Sequence, residues 1–190
     1  MAFLRQSEAL YAYRRRYAYE TKSADRLLRE SAAQFSKSQM YDIFLSHANE
    51  DAQLILGLKV LLEEKGYRVY VDWDDAELDH NVVNANTAGV LRTRMEWCRS
   101  LAFATTQNSP KSKWMPWELG YYDGLKRGFI GIVPLVPEND SQFRGQEFLS
   151  LYPVIENIPS RGELGLMKTT YQYVPLTESI RGSNAVRSIW

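Results

Sequence analysis

The sequence predicts an α/β protein of the flavodoxin-like class, with a mostly parallel central sheet of about five strands and helices on both faces. Short runs of apolar and β-branched residues alternate along the chain with segments whose apolar residues recur at helical spacing. Strands separated by single helices join through right-handed crossovers, which make neighbouring strands parallel. The chain has 190 residues, of which 45% are hydrophobic, and this is enough for one well-packed core.

The N-terminal segment is predicted to be helical. Residues 4–36 contain no Gly or Pro, which favours one or two helices ahead of the first strand. Within them, residues 11–19 combine tyrosine with arginine, a pattern that can stack bases and hold phosphates. We favour a helix whose tyrosines pack on the body or on a neighbouring subunit, because 23 basic and 23 acidic residues leave the chain without net charge. Nucleic acid is therefore not an expected partner.

The first two strands and the helix between them follow from apolar patterning. Residues 41–46 form a short apolar run of the kind that a buried strand needs. Asn49–Asp51 supply a cap and an acidic first turn, leucines then recur at helical spacing, and Gly66 ends the helix. Residues 67–71 alternate β-branched and aromatic side chains and predict the second strand. It leads into an acidic loop at residues 72–79, which is too charged to be buried.

The later elements are predicted by the same patterns. We expect a helix at 86–98, a strand at 101–106, a helix at 114–126 and a strand at 129–136. Residues 151–155 are a candidate fifth strand. A short closing helix is expected at 177–180 or at 185–190.

Several classes of protein are disfavoured by composition. No window approaches the roughly 18–20 consecutive apolar residues that cross a bilayer, so no membrane partner is expected. The N-terminus becomes polar within five residues and lacks a secretory pattern, which predicts a cytoplasmic protein. Cys98 is the single cysteine, and with His47 and His80 it forms no zinc pattern, so no metal is expected. We expect Cys98 to be a buried helix residue.

Three loops are expected to meet at one edge of the sheet. In an open α/β sheet, ligands bind beyond the carboxyl ends of the strands, which places residues 46–50, 72–79 and 107–114 around one crevice. The chain contains neither GxGxxG nor GxxxxGK[ST], so the usual dinucleotide fingerprint and the P-loop are missing. Trp114 and Glu118 are four residues apart and share a helix face. Spacing alone favours a first-turn acid beside tryptophans that pack on the sheet, because acids are common at helix starts.

Three segments together resemble a bacterial Toll/interleukin receptor (TIR) domain. They are residues 41–51, 66–73 and 112–120, and they occur in family order with the expected alternation of strands and helices. The resemblance implies three parts of the chain: a helical N-terminal extension at 1–38, a TIR domain at 39–175 and a C-terminal helix or tail at 176–190.

The resemblance also implies an activity. Many bacterial and plant members cleave the glycosidic bond between nicotinamide and ribose in NAD, and Glu118 falls on the family's catalytic glutamate. Such cleavage passes through an oxocarbenium-like state that a nearby carboxylate can stabilise. Nicotinamide leaves as a neutral molecule, so we expect NAD as a substrate and no metal or separate cofactor. The remaining positions implied to line the pocket are Phe44, Ser46, His47, Asp72, Trp73 and Trp114.

Some of these residues have a second interpretation. His47 could instead hydrogen bond the start of the following helix, and Trp73 could serve a contact between subunits. Arg92 and Arg94 could contact phosphate, although solvated helix arginines are the more common case.

The implied function is the production of a signal. A chain without a fused sensor or executioner module resembles the stand-alone TIR component of Thoeris-type antiphage defence. We therefore expect conversion of NAD into an ADP-ribose-derived signal, cyclic or linear, that a separately encoded effector reads. Self-association through TIR–TIR contacts is also expected. The alternative is a non-catalytic TIR–TIR interaction module in which Glu118 is only a helix-start acid.

Overall fold

A five-stranded parallel sheet forms the centre of the molecule. The computed structural model describes residues 3–72, 84–126, 129–140, 145–183 and 185–189. The strands of the sheet are β1 (Leu4–Arg5), β2 (Tyr41–Ser46), β3 (Val69–Val71), β4 (Cys98–Thr105) and β5 (Ile130–Val136). Their spatial order is β1-β5-β4-β2-β3, and every neighbouring pair is parallel. The predicted flavodoxin-like α/β fold is confirmed.

Helices cover both faces of this sheet. They are α1 (Gln6–Arg16), α2 (Ala24–Ala33), α3 (Ala52–Glu64), α4 (Ala85–Glu96), α5 (Trp114–Lys126) and the short α6 (Leu176–Ile180). Successive side chains of a strand point to opposite faces, so Ile43 and Leu45 of β2 join the core on the side of α1, α2 and α3. Phe44 joins the core on the side of α4 and α5. The two clusters hold the strands in place and thereby fix where their carboxyl ends lie.

The fifth strand of the sheet is not the predicted one. β1 pairs with the outer edge of β5, with Leu4 opposite Leu135, and Leu4 is buried. The prediction of a helix from residue 4 was therefore wrong for Leu4 and Arg5. Pairing with the edge of β5, and no local sequence pattern, sets their conformation. From residue 6 onward, the predicted helices are present as α1 and α2.

Residues 151–155 do not form a strand of the central sheet as predicted. A 3-10 helix at Glu147–Leu151 precedes a single parallel bridge between Val154 and Ile132. The chain then enters a second, antiparallel sheet, which was not predicted from the sequence. Its strands are β6 (Ile155–Ile158), β7 (Glu163–Thr169), β8 (Gln172–Pro175) and β9 (Arg187–Ser188). α6 confirms the closing helix expected at 177–180. The alternative at 185–190 was wrong, because β9 pairs with β8 there.

The boundary between α4 and β4 also differs from the prediction. The helix ends at Glu96, and the strand begins at Cys98 and continues to Thr105. Cys98 is buried, as expected, but it lies on a strand opposite Tyr41 of β2. The segment that opens β4 contains Arg99, whose exposed side chain removes the continuous apolar run by which a buried strand is recognised.

The N-terminal helices pack on the body of the protein. Tyr13 and Tyr17 are partly buried against the core, whereas Tyr11 and Tyr19 are exposed. Gly57 of α3 allows the close approach of α1, since a Cβ there would lie 1.8 Å from the carbonyl oxygen of Ala9. The tyrosines that face inward therefore have the packing role favoured from the sequence.

Among the residues described, no helix is long and apolar enough to span a membrane.

Candidate active site

The loops that follow β2, β3 and β4 enclose a polar cavity of about 260 Å³. Of the predicted site residues, His47, Asp72, Trp114 and Glu118 line this cavity. Each lies beyond the carboxyl end of its strand, as the rule for ligand sites in open α/β sheets requires. Ser46 is the last residue of β2 and joins this group through a hydrogen bond to Glu118.

Glu118 is placed inside the molecule by the first turns of α5. The helix begins at Trp114 after a 3-10 turn, and Pro116 lies in its first turn, where a missing N–H costs little. The Glu118 side chain is only 1% exposed, so its carboxylate has exchanged water for protein partners. The hydroxyl of Ser46 donates a hydrogen bond of 2.5 Å to its Oε2.

A second carboxyl group accompanies Glu118. Asp72 follows β3, is almost fully buried, and hydrogen bonds Glu118 through its side chain. Burial, and next the charge of Glu118, raise the pKa of Asp72 well above its usual value. Burial also raises the pKa of Glu118, while hydrogen bonds from Ser46 and Asp72 lower it. Burial thus raises the pKa of both carboxyl groups, and that of Asp72 more strongly.

His47 is fixed by hydrogen bonding beside this pair. Its Nδ1 lies 3.0 Å from the carbonyl oxygen of Leu45 and 3.5 Å from Oδ1 of Asp72. Because a carbonyl oxygen can only accept, Nδ1 carries a proton in this contact. His47 thus lines the cavity and hydrogen bonds the end of its own strand.

The other predicted residues have different positions. Phe44 is fully buried in the core beside the Tyr70 ring, 5.6 Å between centroids, and does not line the cavity. Trp73 lies outside the described residues. The guanidinium of Arg92 lies over Trp117, and that of Arg94 lies 4.0 Å from the centroid of the Phe35 ring, so neither arginine lines the cavity.

Several cavity residues were not singled out from the sequence. They are Asn49, Glu50, Lys111, Ser112 and Lys113. All of them fall in the loops predicted to converge, and that position is the only sequence signal that could have found them. The two lysines bring positive charge to a cavity that otherwise carries carboxyl groups.

The loops are tied together by Asp51. This buried carboxylate accepts hydrogen bonds from the hydroxyl of Thr106 and from Nδ2 of Asn108, the latter at 2.8 Å. Asn108 in turn accepts a hydrogen bond of 2.7 Å from Nζ of Lys111. The segment that leads into α5 is thereby anchored to the loop after β2.

No group of three or more His, Cys, Asp or Glu side chains that could hold a metal ion occurs in the described part of the chain. Among the groups that line the cavity are three carboxyl groups, an imidazole, an indole and two ammonium groups. This set suits stabilisation of positive charge on a sugar next to an anionic group.

Comparison with known proteins identifies the family of this chain. The family model for the TIR domain matches residues 43–164, well over half of the chain. The chain is 48% identical over 138 residues to a Bacillus cereus (strain MSX-D12) protein named "Probable 3' cyclic ADP-D-ribose synthase ThsB'", which covers 72% of this chain and 71% of that protein. It is 30% identical over 99 residues to "Putative cyclic ADP-D-ribose synthase TIR2" of Cytobacillus dafuensis, covering 51% of this chain and 26% of that protein. The resemblance read from the three sequence segments is confirmed, and the chain belongs to the TIR domain family.

Proposed function

We propose that this protein cleaves NAD at the bond between nicotinamide and ribose and closes the remaining ADP-ribose into a cyclic product. The observation that carries the proposal is the buried Glu118 carboxyl group in a polar cavity, where hydrogen bonds from Ser46 and Asp72 lower its pKa against the effect of burial. Both relatives carry the name of a cyclic ADP-D-ribose synthase, one as "Probable" and one as "Putative", and these names support the cyclic product.

The chemistry needs charge stabilisation more than acid catalysis. When the bond from the ribose anomeric carbon to nicotinamide breaks, its electron pair leaves with the ring nitrogen, and the cationic pyridinium becomes neutral nicotinamide. Positive charge remains on the sugar, where the Glu118 carboxylate stabilises it. In a site shielded from water this interaction is stronger than it would be in solvent.

The second half of the reaction needs a nucleophile and a proton acceptor. A hydroxyl of the adenosine ribose attacks the anomeric carbon, and its proton passes to the carboxylate of the Asp72–Glu118 pair before release to solvent. Water in the same position would give linear ADP-ribose. Because the leaving group departs neutral, we expect no metal requirement, and a chelator should leave the rate unchanged.

The proposal extends to signalling. The resemblance to Thoeris-type TIR components supports a role in antiphage defence, in which a small diffusible product acts on a separately encoded effector. We place this activity in the cytoplasm, where NAD is available, and we expect self-association to raise it. Activity per subunit that increases with protein concentration would be the sign of such assembly.

The test is incubation of the purified protein with NAD, followed by mass spectrometry. Glu118→Gln removes the charge but keeps the shape, and should lower nicotinamide release by about 10²–10³-fold. Glu147→Gln, which changes an exposed glutamate outside the cavity, is the matched control and should match the wild type. Equal rates in wild type and Glu118→Gln would contradict catalysis by Glu118. A folded wild type that forms no product at any concentration would favour a TIR–TIR interaction module.

A further inference from the structure

A groove lies between the N-terminal helices and the start of α3. It has a volume of about 720 Å³ and is bounded by α1, by the first turn of α2 and by the segment that begins α3. Its walls include Leu10, Tyr13, Asp25, Asn49, Glu50 and Leu54. Asn49 and Glu50 also line the cavity of the candidate active site, so this N-terminal groove adjoins that cavity.

The N-terminal groove has an apolar floor and an acidic rim. Tyr13 and Leu54 are partly buried against the core and form the floor, whereas Asp25 and Glu50 are exposed. Lys22 also lines the groove, but it donates a hydrogen bond of 2.8 Å to a glutamate of α2, which compensates its charge. The groove therefore fits a partner that presents cations beside an apolar side chain.

The outer side of α1 carries the opposite charge. The helix ends in Arg14, Arg15 and Arg16, and all three side chains are exposed. Tyr11 is 67% exposed, and the guanidinium of Arg15 lies over its ring. Arg15 pairs with a glutamate of α3, whereas Arg14 forms no ion pair within the described part of the chain. Tyr11, Arg14 and Arg15 form what we name the arginine face of α1.

The arginine face and the groove lie on different sides of the same helix. Leu10 and Tyr13 are three residues apart and share the side that faces the groove. At 3.6 residues per turn, Arg15 points roughly 140–160° away from these two residues. One copy of the protein therefore cannot insert its arginine face into its own groove, and a contact between the two surfaces has to join two copies.

We infer that a second copy of this chain places its arginine face in the N-terminal groove of the first. The arginines meet the carboxylates of Asp25 and Glu50, and Tyr11 covers the apolar floor. Because the two surfaces differ and every copy has both, the contact repeats head to tail. A second copy accounts for the acidic groove as well as the arginines, whereas a nucleic acid would engage the arginines alone.

The contact reaches the candidate active site through the loop after β2. Asn49 and Glu50 follow His47 in this loop and line both the groove and the cavity. An arginine of the second copy restrains the loop and neutralises Glu50, one of three carboxyl groups that would otherwise repel the diphosphate of NAD. This effect on activity rests on the proposed function, whereas the contact itself does not.

Charge reversal on each surface tests the contact. In analytical ultracentrifugation over a range of protein concentrations, we expect the wild type to associate, and to do so more weakly at high salt. Arg14→Glu on the arginine face and Asp25→Arg in the groove should each raise the dissociation constant at least about tenfold. Arg161→Glu and Glu147→Arg, which reverse exposed charges outside both surfaces, are the matched controls and should associate like the wild type.

A mixture of the two variants separates a lost contact from a lost fold. Arg14→Glu keeps the native groove, and Asp25→Arg keeps the native arginine face. The glutamate introduced in the first variant also meets the arginine introduced in the second. An equal mixture should therefore recover most of the wild-type association, although neither variant associates well alone.

Several outcomes would overturn the inference. They are a wild type that stays monomeric at every concentration, association that neither variant weakens, and a mixture that recovers nothing. A monomeric wild type that binds a double-stranded oligonucleotide through Arg14 would assign the arginine face to nucleic acid instead.

Nicotinamide release, measured on the same samples, distinguishes this inference from the proposed function. Release per subunit should follow association across the variants and recover in the mixture. Equal release from monomers and assemblies would contradict the effect of the contact on the loop after β2. Association through these two surfaces in a wild type that leaves NAD intact would contradict the proposed function alone.

Discussion

The hydroxyl of Ser46 donates a hydrogen bond of 2.5 Å to Oε2 of Glu118, a residue 72 positions later in the chain. This contact joins the carboxyl end of β2 to the second turn of α5. It also favours the charged form of a carboxylate that burial would otherwise keep protonated. One short contact therefore positions the group on which the proposed chemistry depends and opposes the effect of burial on its pKa.

Ser46→Ala should shift the pH dependence of nicotinamide release. Without the hydroxyl, the pKa of Glu118 rises further, because burial is then opposed by Asp72 alone. The acid limb of the pH–rate profile should move to higher pH. Near neutral pH the rate should fall by about 10- to 100-fold, since a hydrogen bond to a charged group contributes about 1.5–3 kcal/mol.

The control for that variant is Ser100→Ala. Ser100 is also a strand serine with a buried side chain, but its hydroxyl donates to the backbone carbonyl of Asp42, away from the cavity. Its removal should leave the pH–rate profile in place. A Ser46→Ala profile lowered equally at every pH would indicate lost packing and no effect on the ionisation of Glu118.

Asp72→Asn should make the protein more stable at neutral and alkaline pH. The pKa of Asp72 is raised in the folded state, so the folded protein binds more protons than the unfolded chain between the unfolded and folded pKa values. The free energy of unfolding therefore falls as the pH rises through that window. The amide cannot ionise, and we expect a gain of about 1 kcal/mol in urea unfolding at pH 8 but little change at pH 4. A gain that is equal at both pH values would contradict a raised pKa.

Comparing Asp72→Asn with Asp72→Ala shows whether Asp72 acts on catalysis by donating a hydrogen bond or through its charge. The asparagine amide can still donate a hydrogen bond to Glu118, as protonated Asp72 does, whereas alanine cannot. The asparagine variant should therefore release nicotinamide at least about tenfold faster than the alanine variant. If the two variants are equally slow, Asp72 acts through its carboxylate, and the proton is not held between the two groups.

Much of the candidate site could be predicted because it follows from topology. The carboxyl ends of parallel strands lie at the same edge of a sheet. The loops that follow β2, β3 and β4 therefore meet at that edge. This rule needs only the order of strands and helices. It is enough to bring Ser46, His47 and Asp72 near the segment that leads into α5, whereas the choice of Glu118 came from the resemblance to the family.

Depth below the edge of the sheet explains why Phe44 differs from Ser46. The two residues are two apart and point to the same side of the sheet, but Phe44 lies further from the strand end and is covered by the core beside α4 and α5. Depth below the sheet edge is a property of the assembled layers. The resemblance to the family placed Phe44 on the correct strand. Its depth below the sheet edge could not be predicted from the sequence.

Other features depend on partners that are distant in the chain. β1 has two residues, too few for any periodicity, and it forms because Leu4 meets Leu135 at the edge of β5. The raised pKa values of Asp72 and Glu118 likewise depend on burial of both groups and on a contact between two separate elements. Local sequence patterns carry neither kind of information.

Asp51→Ala should destabilise the loops around the cavity. Asp51 is buried and accepts hydrogen bonds from Thr106 and Asn108, so its removal leaves two donors without their acceptor. The free energy of unfolding should fall by about 1–3 kcal/mol in urea titration. Asp25→Ala, at an exposed first-turn position of α2, should cost less than about 1 kcal/mol. Equal losses in the two variants would argue against a buried network that anchors these loops.

Gly57→Ala should loosen the N-terminal helix from the body of the protein. An added Cβ would lie 1.8 Å from the carbonyl oxygen of Ala9, and backbone atoms cannot rotate away as a side chain can. α1 must therefore shift, at a cost of about 1–3 kcal/mol in the free energy of unfolding, and trypsin should cleave faster at the arginines that end α1. Gly124→Ala is the matched control, since a Cβ there meets nothing within 4 Å and alanine favours a helix by about 1 kcal/mol. If both variants resist trypsin like the wild type, α1 is held by contacts other than the close approach at Gly57, because that approach cannot survive the added methyl group.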